Sequence, residues 1–128
     1  MIVAARKGCI GGGMDKFEMA KRTKEFALRI MRLVEALPRS PSGTTIGNQI
    51  LRSGTSVAAN YRAALRGRSK AEFISKIGTV MEEADETLFW LEMIEEAGLL
   101  PSAQVAELKA EADALVRIFN KTRSSAKS

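Results

Sequence analysis

Arg52, Arg62, Arg66, Arg68 and Lys70 place five cations close together in the middle of this 128-residue chain. Guanidinium and ammonium groups at such spacing neutralise phosphates and release counterions, which gives salt-dependent binding to nucleic acid without base preference. Arg62, Arg66, Arg68 and Lys70 are therefore the candidate nucleic-acid-binding residues. The competing reading is that they complement a helix dipole and form salt bridges. No recognised nucleic-acid motif accompanies them, and Tyr61 is the only aromatic nearby, so stacking on single-stranded bases is poorly supplied.

Upstream of that cluster, Arg52 and Asn60 sit among small residues, Ser53-Gly54-Thr55-Ser56-Val57-Ala58-Ala59. A polar group buried there needs a partner. The acidic run Glu82, Glu83, Asp85 and Glu86 supplies one, so Arg52, Asn60, Glu82 and Glu86 are expected to form a structural polar contact, Arg52 pairing with one of the four carboxylates. A small-ligand pocket at this stretch is the functional alternative. The same carboxylates suggest a two-metal bundle site, but such sites also use Glu-x-x-His motifs and the chain has no histidine. No nucleophile is paired with a base, and Cys9 is a lone thiol without a histidine. The expectation is a protein that is not an enzyme and takes no cofactor or metal.

The elements that position these residues are helices. Few aromatics, three prolines and abundant helix formers favour an all-α fold. Met1–Gly13, ending in three glycines, reads as a flexible leader; Met14 reads as a second start, opening a domain over residues 14–123 that leaves 124–128 as a flexible tail. Asp15 with Glu18 forms the capping box of a helix from about Lys16 to Leu37. That helix carries two adjacent apolar stripes, Ala20, Ala27, Met31 and Val34 beside Met19, Phe26, Ile30, Leu33 and Leu37. The pairs Glu18/Arg22 and Glu25/Arg29 stand at the stabilising spacing of four on its solvated face.

Pro38 through Gly43 predicts a loop, and a second helix follows from about Thr45 to Leu65, stopped by Gly67. Ser69-Lys70-Ala71-Glu72 reads as a capping box opening a third helix to about Ala97. Gly98 and Pro101 separate it from a fourth, capped by Ser102, whose Val105, Leu108, Ala112, Leu115 and Phe119 follow the seam spacing of bundle packing. Beyond Lys121 the tail is expected to fray. Four helices with short connections predict an antiparallel up-down-up-down four-helix bundle.

Residues 1–70 hold 14 Lys and Arg against 4 Asp and Glu, a net of +10, whereas residues 71–128 hold 6 against 11, a net of −5. Such asymmetry steers an acidic partner, or lets two halves or two subunits attract each other. Phe89, Trp90 and Met93 form an apolar ridge beside the inward stripe of the third helix; core is the competing reading, but that helix already has an inward set, so the ridge is expected to be a subunit interface, where Trp and Met are enriched. The single cysteine and the lack of a membrane-length apolar run predict a cytoplasmic protein with no membrane partner.

The run Gln49 to Asn60, then Ser69, Glu72-Phe73-Ile74 and Glu82 to Glu92, resembles the bacterial 23S rRNA intervening-sequence protein family across roughly Phe17 to Phe119. The resemblance implies a non-enzymatic cytosolic bundle that assembles into a homopentamer. It also implies kinship with the accessory variability protein of diversity-generating retroelements, a basic pentamer contacting reverse transcriptase and nucleic acid. On that footing the expected partners are further copies of the chain, and RNA, DNA or a nucleic-acid enzyme. Family members often carry Glu-Gly after the Asn, where this chain has Tyr61-Arg62-Ala63-Ala64, which adds positive charge.

Overall fold

In a computed structural model that describes residues 15–128, the chain forms α1 (Lys16–Ala36), α2 (Pro41–Leu65), α3 (Lys70–Glu96) and α4 (Ser102–Lys127). The expected leader over residues 1–13 lies outside the described residues. Each helix start and stop has a local cause. At α1 the Glu18 amide donates to Asp15 Oδ1 at 2.9 Å and the Asp15 amide to Glu18 Oε1 at 3.4 Å, the expected capping box. Leu37 is extended because Pro38 follows it.

The second helix starts earlier than the Pro and Gly content suggests. Ser40 is its N-cap, accepting from the Gly43 amide at 3.0 Å, and Pro41 takes the first helical position. There the missing proline amide would have had no partner anyway. Ser69 caps α3, accepting from the Glu72 amide at 3.1 Å. Glu72 does not return the bond to Ser69; its Oε1 accepts from the Arg68 amide at 2.9 Å, so only half of the expected box forms. Gly98, at φ 71°, ends α3 with the Leu99 amide donating to the Ile94 carbonyl and the Gly98 amide to the Glu95 carbonyl.

Ser102 does not cap α4. Pro101 occupies that position without a side-chain bond, and Ser102 becomes the first helical residue. The helix then continues to Lys127, well past the point where composition suggests fraying.

The helices run antiparallel in succession, as the residues that meet between them show. Gly54 lies against Ile30 and Gly47 against Leu37; Ser53 meets Thr87 while Gly67 lies near the Phe73 amide; Glu95 meets Lys109 while Gly78 lies against Arg123. α1 packs on α2, α2 on α3 and α3 on α4, while α1 and α4 touch only sparsely. Met19, Phe26, Ile30, Ile50, Tyr61, Ile77, Leu91, Leu115 and Phe119 fill the interior. Tyr61 and Phe119 meet across the middle with ring centroids 5.3 Å apart. Burial pushes the Tyr61 phenol well above its usual titration range, and its hydroxyl has no hydrogen-bond partner among the described residues.

The small residues of α2 serve two neighbours at once. On the α1 side, a methyl group at Gly54 would stand 2.9 Å from Ile30 Cγ2 and 3.0 Å from Cγ1. Ile30 is β-branched and stiff, so it cannot swing clear. Gly54→Ala is expected to lose stability in chemical denaturation by about 1–2 kcal/mol, overpacking outweighing the roughly 1 kcal/mol helix-propensity gain. On the α3 side, Thr87 Oγ1 donates to Ser53 Oγ at 2.9 Å and Ser53 Oγ donates to the Ile50 carbonyl at 3.3 Å, in a fully buried position.

Candidate functional site

Two groups of charged side chains stand out among the described residues. Arg22 makes a bidentate pair with Glu111 of α4, at 2.7 and 2.8 Å, and Arg29 reaches Glu107 at 3.4 Å. These cross-bundle bonds replace the expected pairs Glu18/Arg22 and Glu25/Arg29 within α1. Lys109 Nζ meets Glu95 Oε1 at 2.5 Å between α3 and α4, and Lys109 with the Ser102 hydroxyl holds the Glu95 carboxyl below the usual carboxylate range.

Arg52 belongs to the same paired population. Its guanidinium donates to Glu86 Oε2 at 2.5 Å and to Glu83 at 3.3 and 3.4 Å, joining α2 to α3. Trp90 Nε1 donates to the same Glu86 oxygen at 3.1 Å. Glu83 and Glu86, three residues apart, share a helix face. Two expected members are absent from this contact. Glu82 is exposed, one residue around the helix from Glu83, and Asn60 Nδ2 donates to the Ser56 carbonyl of its own helix at 3.0 Å.

Arg52, and after it Trp90, hold the Glu86 carboxyl below the usual carboxylate range. A depressed pKa means stability that is present above the unfolded carboxylate value and lost as pH falls through the lower folded one. Wild type and Arg52→Ala should thus differ most in urea midpoint at neutral pH, and the gap should close on acidification below the carboxylate range. Arg52→Lys should restore only part of the gap, because an ammonium cannot fork between two carboxylates.

The second population is cationic and unneutralised. Lys21 and Lys24 of α1, with Thr55, Arg62 and Arg66 of α2, border an open groove of about 780 Å³ whose apolar lining is Ala20, Ala58, Ala59 and Leu65. None of these four cations forms an ion pair among the described residues. Arg68 and Lys70, exposed on the turn into α3, extend the positive surface from Arg66. The small lining residues are the outer face of the stretch whose inner face packs on Ile30 and Thr87. Tyr61, pointing into the core, contributes no ring to the groove. Lys21 and Lys24 lie on a different side of α1 from Arg22 and Arg29, and only the packing of those arginines against α4 shows that the lysines' side borders α2.

The ridge on α3 also divides. Phe89 and Met93 are exposed at 49% and 37%, whereas Trp90 is half-buried against the core and lies edge-on to Phe89, ring centroids 4.8 Å apart. Among the described residues no cluster of three metal-ligating side chains occurs, and no helix is long and apolar enough to cross a membrane.

The family model for the 23S rRNA-intervening sequence protein matches residues 15–121. A solved structure from Bacteroides thetaiotaomicron, described as a protein of unknown function from the S23 ribosomal protein family, is 31% identical, with 85% of this chain and 98% of that one covered and a TM-score of 0.76. A search of curated proteins found no match.

Proposed function

The chain belongs to the 23S rRNA-intervening sequence protein family, and from that premise we propose that it is a non-enzymatic, self-associating bundle that binds the phosphate backbone of nucleic acid through its α1/α2 groove and the adjoining turn. The observation that carries this reading is the sorting of charge. Arg22, Arg29 and Arg52, which reach α3 and α4, are matched by carboxylates, while Arg62 and Arg66, with Lys21 and Lys24, are left unmatched around one concave surface. Unneutralised cations around a depression favour a polyanion, and contacts to phosphate carry no base information.

Arg62, Arg66, Arg68 and Lys70 hold phosphates in this proposal, and the groove lacks aromatics on which bases could stack. The partner is RNA or DNA, engaged by backbone charge, in the cytoplasm and without a cofactor. Binding of labelled duplex and single-stranded RNA and DNA measured across salt concentrations tests it. A steep decline of affinity with salt supports the reading, and no affinity even at low ionic strength overturns it. In that event the exposed Phe89 and Met93 favour the second reading, a module whose partners are proteins alone.

A further inference from the structure

The end of the bundle that holds the α2/α3 turn carries cations beyond those of the α1/α2 groove. Residues 15–25, 54–82 and 115–128, which make up that half, contain 13 Lys and Arg against 5 Asp and Glu. Residues 26–53 and 83–114, the other half, contain 5 against 10. One pole is therefore positive by a net of +8 and the other negative by −5.

Arg123 of α4 is the most firmly seated cation of the positive pole outside the groove. Half-buried, it lies on α3 at buried Gly78, where an added Cβ would stand 3.1 Å from Arg123 Nη1 and 3.7 Å from its Cδ. Glycine is unfavourable inside a helix, and here its missing side chain leaves the room that the guanidinium fills. Unlike Arg22 and Arg52, Arg123 forms no ion pair among the described residues. Lys127 follows four residues later on the same face, exposed, because α4 stays helical to that residue. Complementing the helix dipole accounts for Lys127 in the last turn of α4 but not for Arg123, a turn earlier.

With α1 packed on α2, α2 on α3 and α3 on α4, the α3/α4 face lies across the bundle from the α1/α2 groove. The turn that carries Arg68 and Lys70 joins the two over the positive pole. Gly78 follows Lys70 by eight residues, about 12 Å along α3 at ~1.5 Å per residue. Packed helix axes stand roughly 8–10 Å apart, so a path from Arg66 over the turn to Arg123 is on the order of 30 Å. At about 3.4 Å per phosphate along one strand, that path holds roughly nine phosphates.

We propose that a single strand of nucleic acid passes over this pole, from the α1/α2 groove across Arg68 and Lys70 to Arg123 and Lys127. The proposal rests on the phosphate-binding reading above and adds to it the type of strand and two further contact residues. A duplex is stiff over about 150 base pairs and cannot fold around one small bundle, so it reaches the cations of one face only. A flexible strand reaches both faces, and it needs no stacking platform when phosphates are what is held.

Fluorescence anisotropy with a labelled strand of about 20 nucleotides that cannot pair with itself, and with its blunt duplex, tests this near 0.1 M salt, where each phosphate-binding cation is worth roughly tenfold. The wild type should bind the strand at least about tenfold more tightly than the duplex. Arg123→Gln with Lys127→Gln should weaken strand binding by about 100-fold and leave duplex binding nearly unchanged, whereas Arg62→Gln with Arg66→Gln should weaken both. Lys127→Gln alone, at an exposed position that the fold does not use, should weaken strand binding roughly tenfold and decides the matter if the double variant loses helicity. No binding of either nucleic acid would overturn the phosphate reading itself. A strand bound no more tightly than the duplex, or one whose binding responds to Arg62 and Arg66 but to neither α4 variant, overturns only the path over the pole.

Discussion

Gly43→Ala should lower stability by about 2 kcal/mol and the melting temperature by about 8 °C, the overpacking cost being only partly offset by better helix propensity. A methyl group at this third position of α2 would collide with the Pro38 carbonyl oxygen and stand 3.0 Å from its carbon and 3.2 Å from Ser40 Oγ. The obstacle is backbone, fixed between the extended Leu37 and the Ser40 cap, so it cannot turn aside as a side-chain end would. Relief requires the turn itself to move, and the Gly43 amide would then give up its 3.0 Å bond to Ser40. Gly47→Ala is the internal control. Its methyl group would meet Leu37 Cδ1 at 3.4 Å and Val34 Cγ1 at 3.6 Å, ordinary contact distances. It should therefore be stabilising by about 0.5–1 kcal/mol, as expected for glycine replaced inside a helix. Thermal and urea unfolding of the pair measure opposite signs if the close approach of Pro38 is the determinant, and equal signs if helix propensity alone decides.

The second large effect concerns nucleic-acid affinity. Removing one phosphate-binding cation weakens binding roughly tenfold near 0.1 M salt, so Arg62→Glu with Arg66→Glu should weaken it by at least about 100-fold. The slope of log affinity against log salt should become shallower by about two. Both side chains are exposed and unpaired among the described residues, so the fold should survive and unfolding midpoints should stay near wild type. Arg117→Glu, reversing an exposed cation on α4 that is already paired with Asp113 at 3.1 Å, should leave affinity close to wild type. Equal effects at Arg117 and at Arg62/Arg66 would mean that overall charge, and not the groove, drives association.

How far the chain announces its own fold depends on whether the signal is local. Asp15, Ser69, Gly67 and Gly98 mark helix ends correctly because capping bonds join residues three or four apart, within reach of sequence reading. Pro41 misleads because proline is a breaker inside a helix and a favourable residue at its first position, and only the neighbouring Ser40 cap decides between them. Ser102 misleads in the opposite way, since Pro101 already holds the capping position.

The site is less legible, for a physical reason. Arg52 with Glu83 and Glu86 can be anticipated from an antiparallel α2 and α3. Arg22 with Glu111 cannot, because nothing local indicates which face of α4 turns toward α1. That unseen pairing is what sets Lys21 and Lys24, on the groove, apart from Arg22 and Arg29.

The sparse meeting of α1 with α4 has a kinetic consequence. Most close backbone approaches join helices consecutive in the chain, so the ordering of each new helix closes only a short loop. Arg22 with Glu111 and Arg29 with Glu107 bridge the distant α1/α4 seam with charge. Helical chains with such local connectivity fold on the order of microseconds to milliseconds. During synthesis α1, α2 and α3 can form their shared packing while α4 is still being made, and α4 then completes the bundle by docking chiefly on α3.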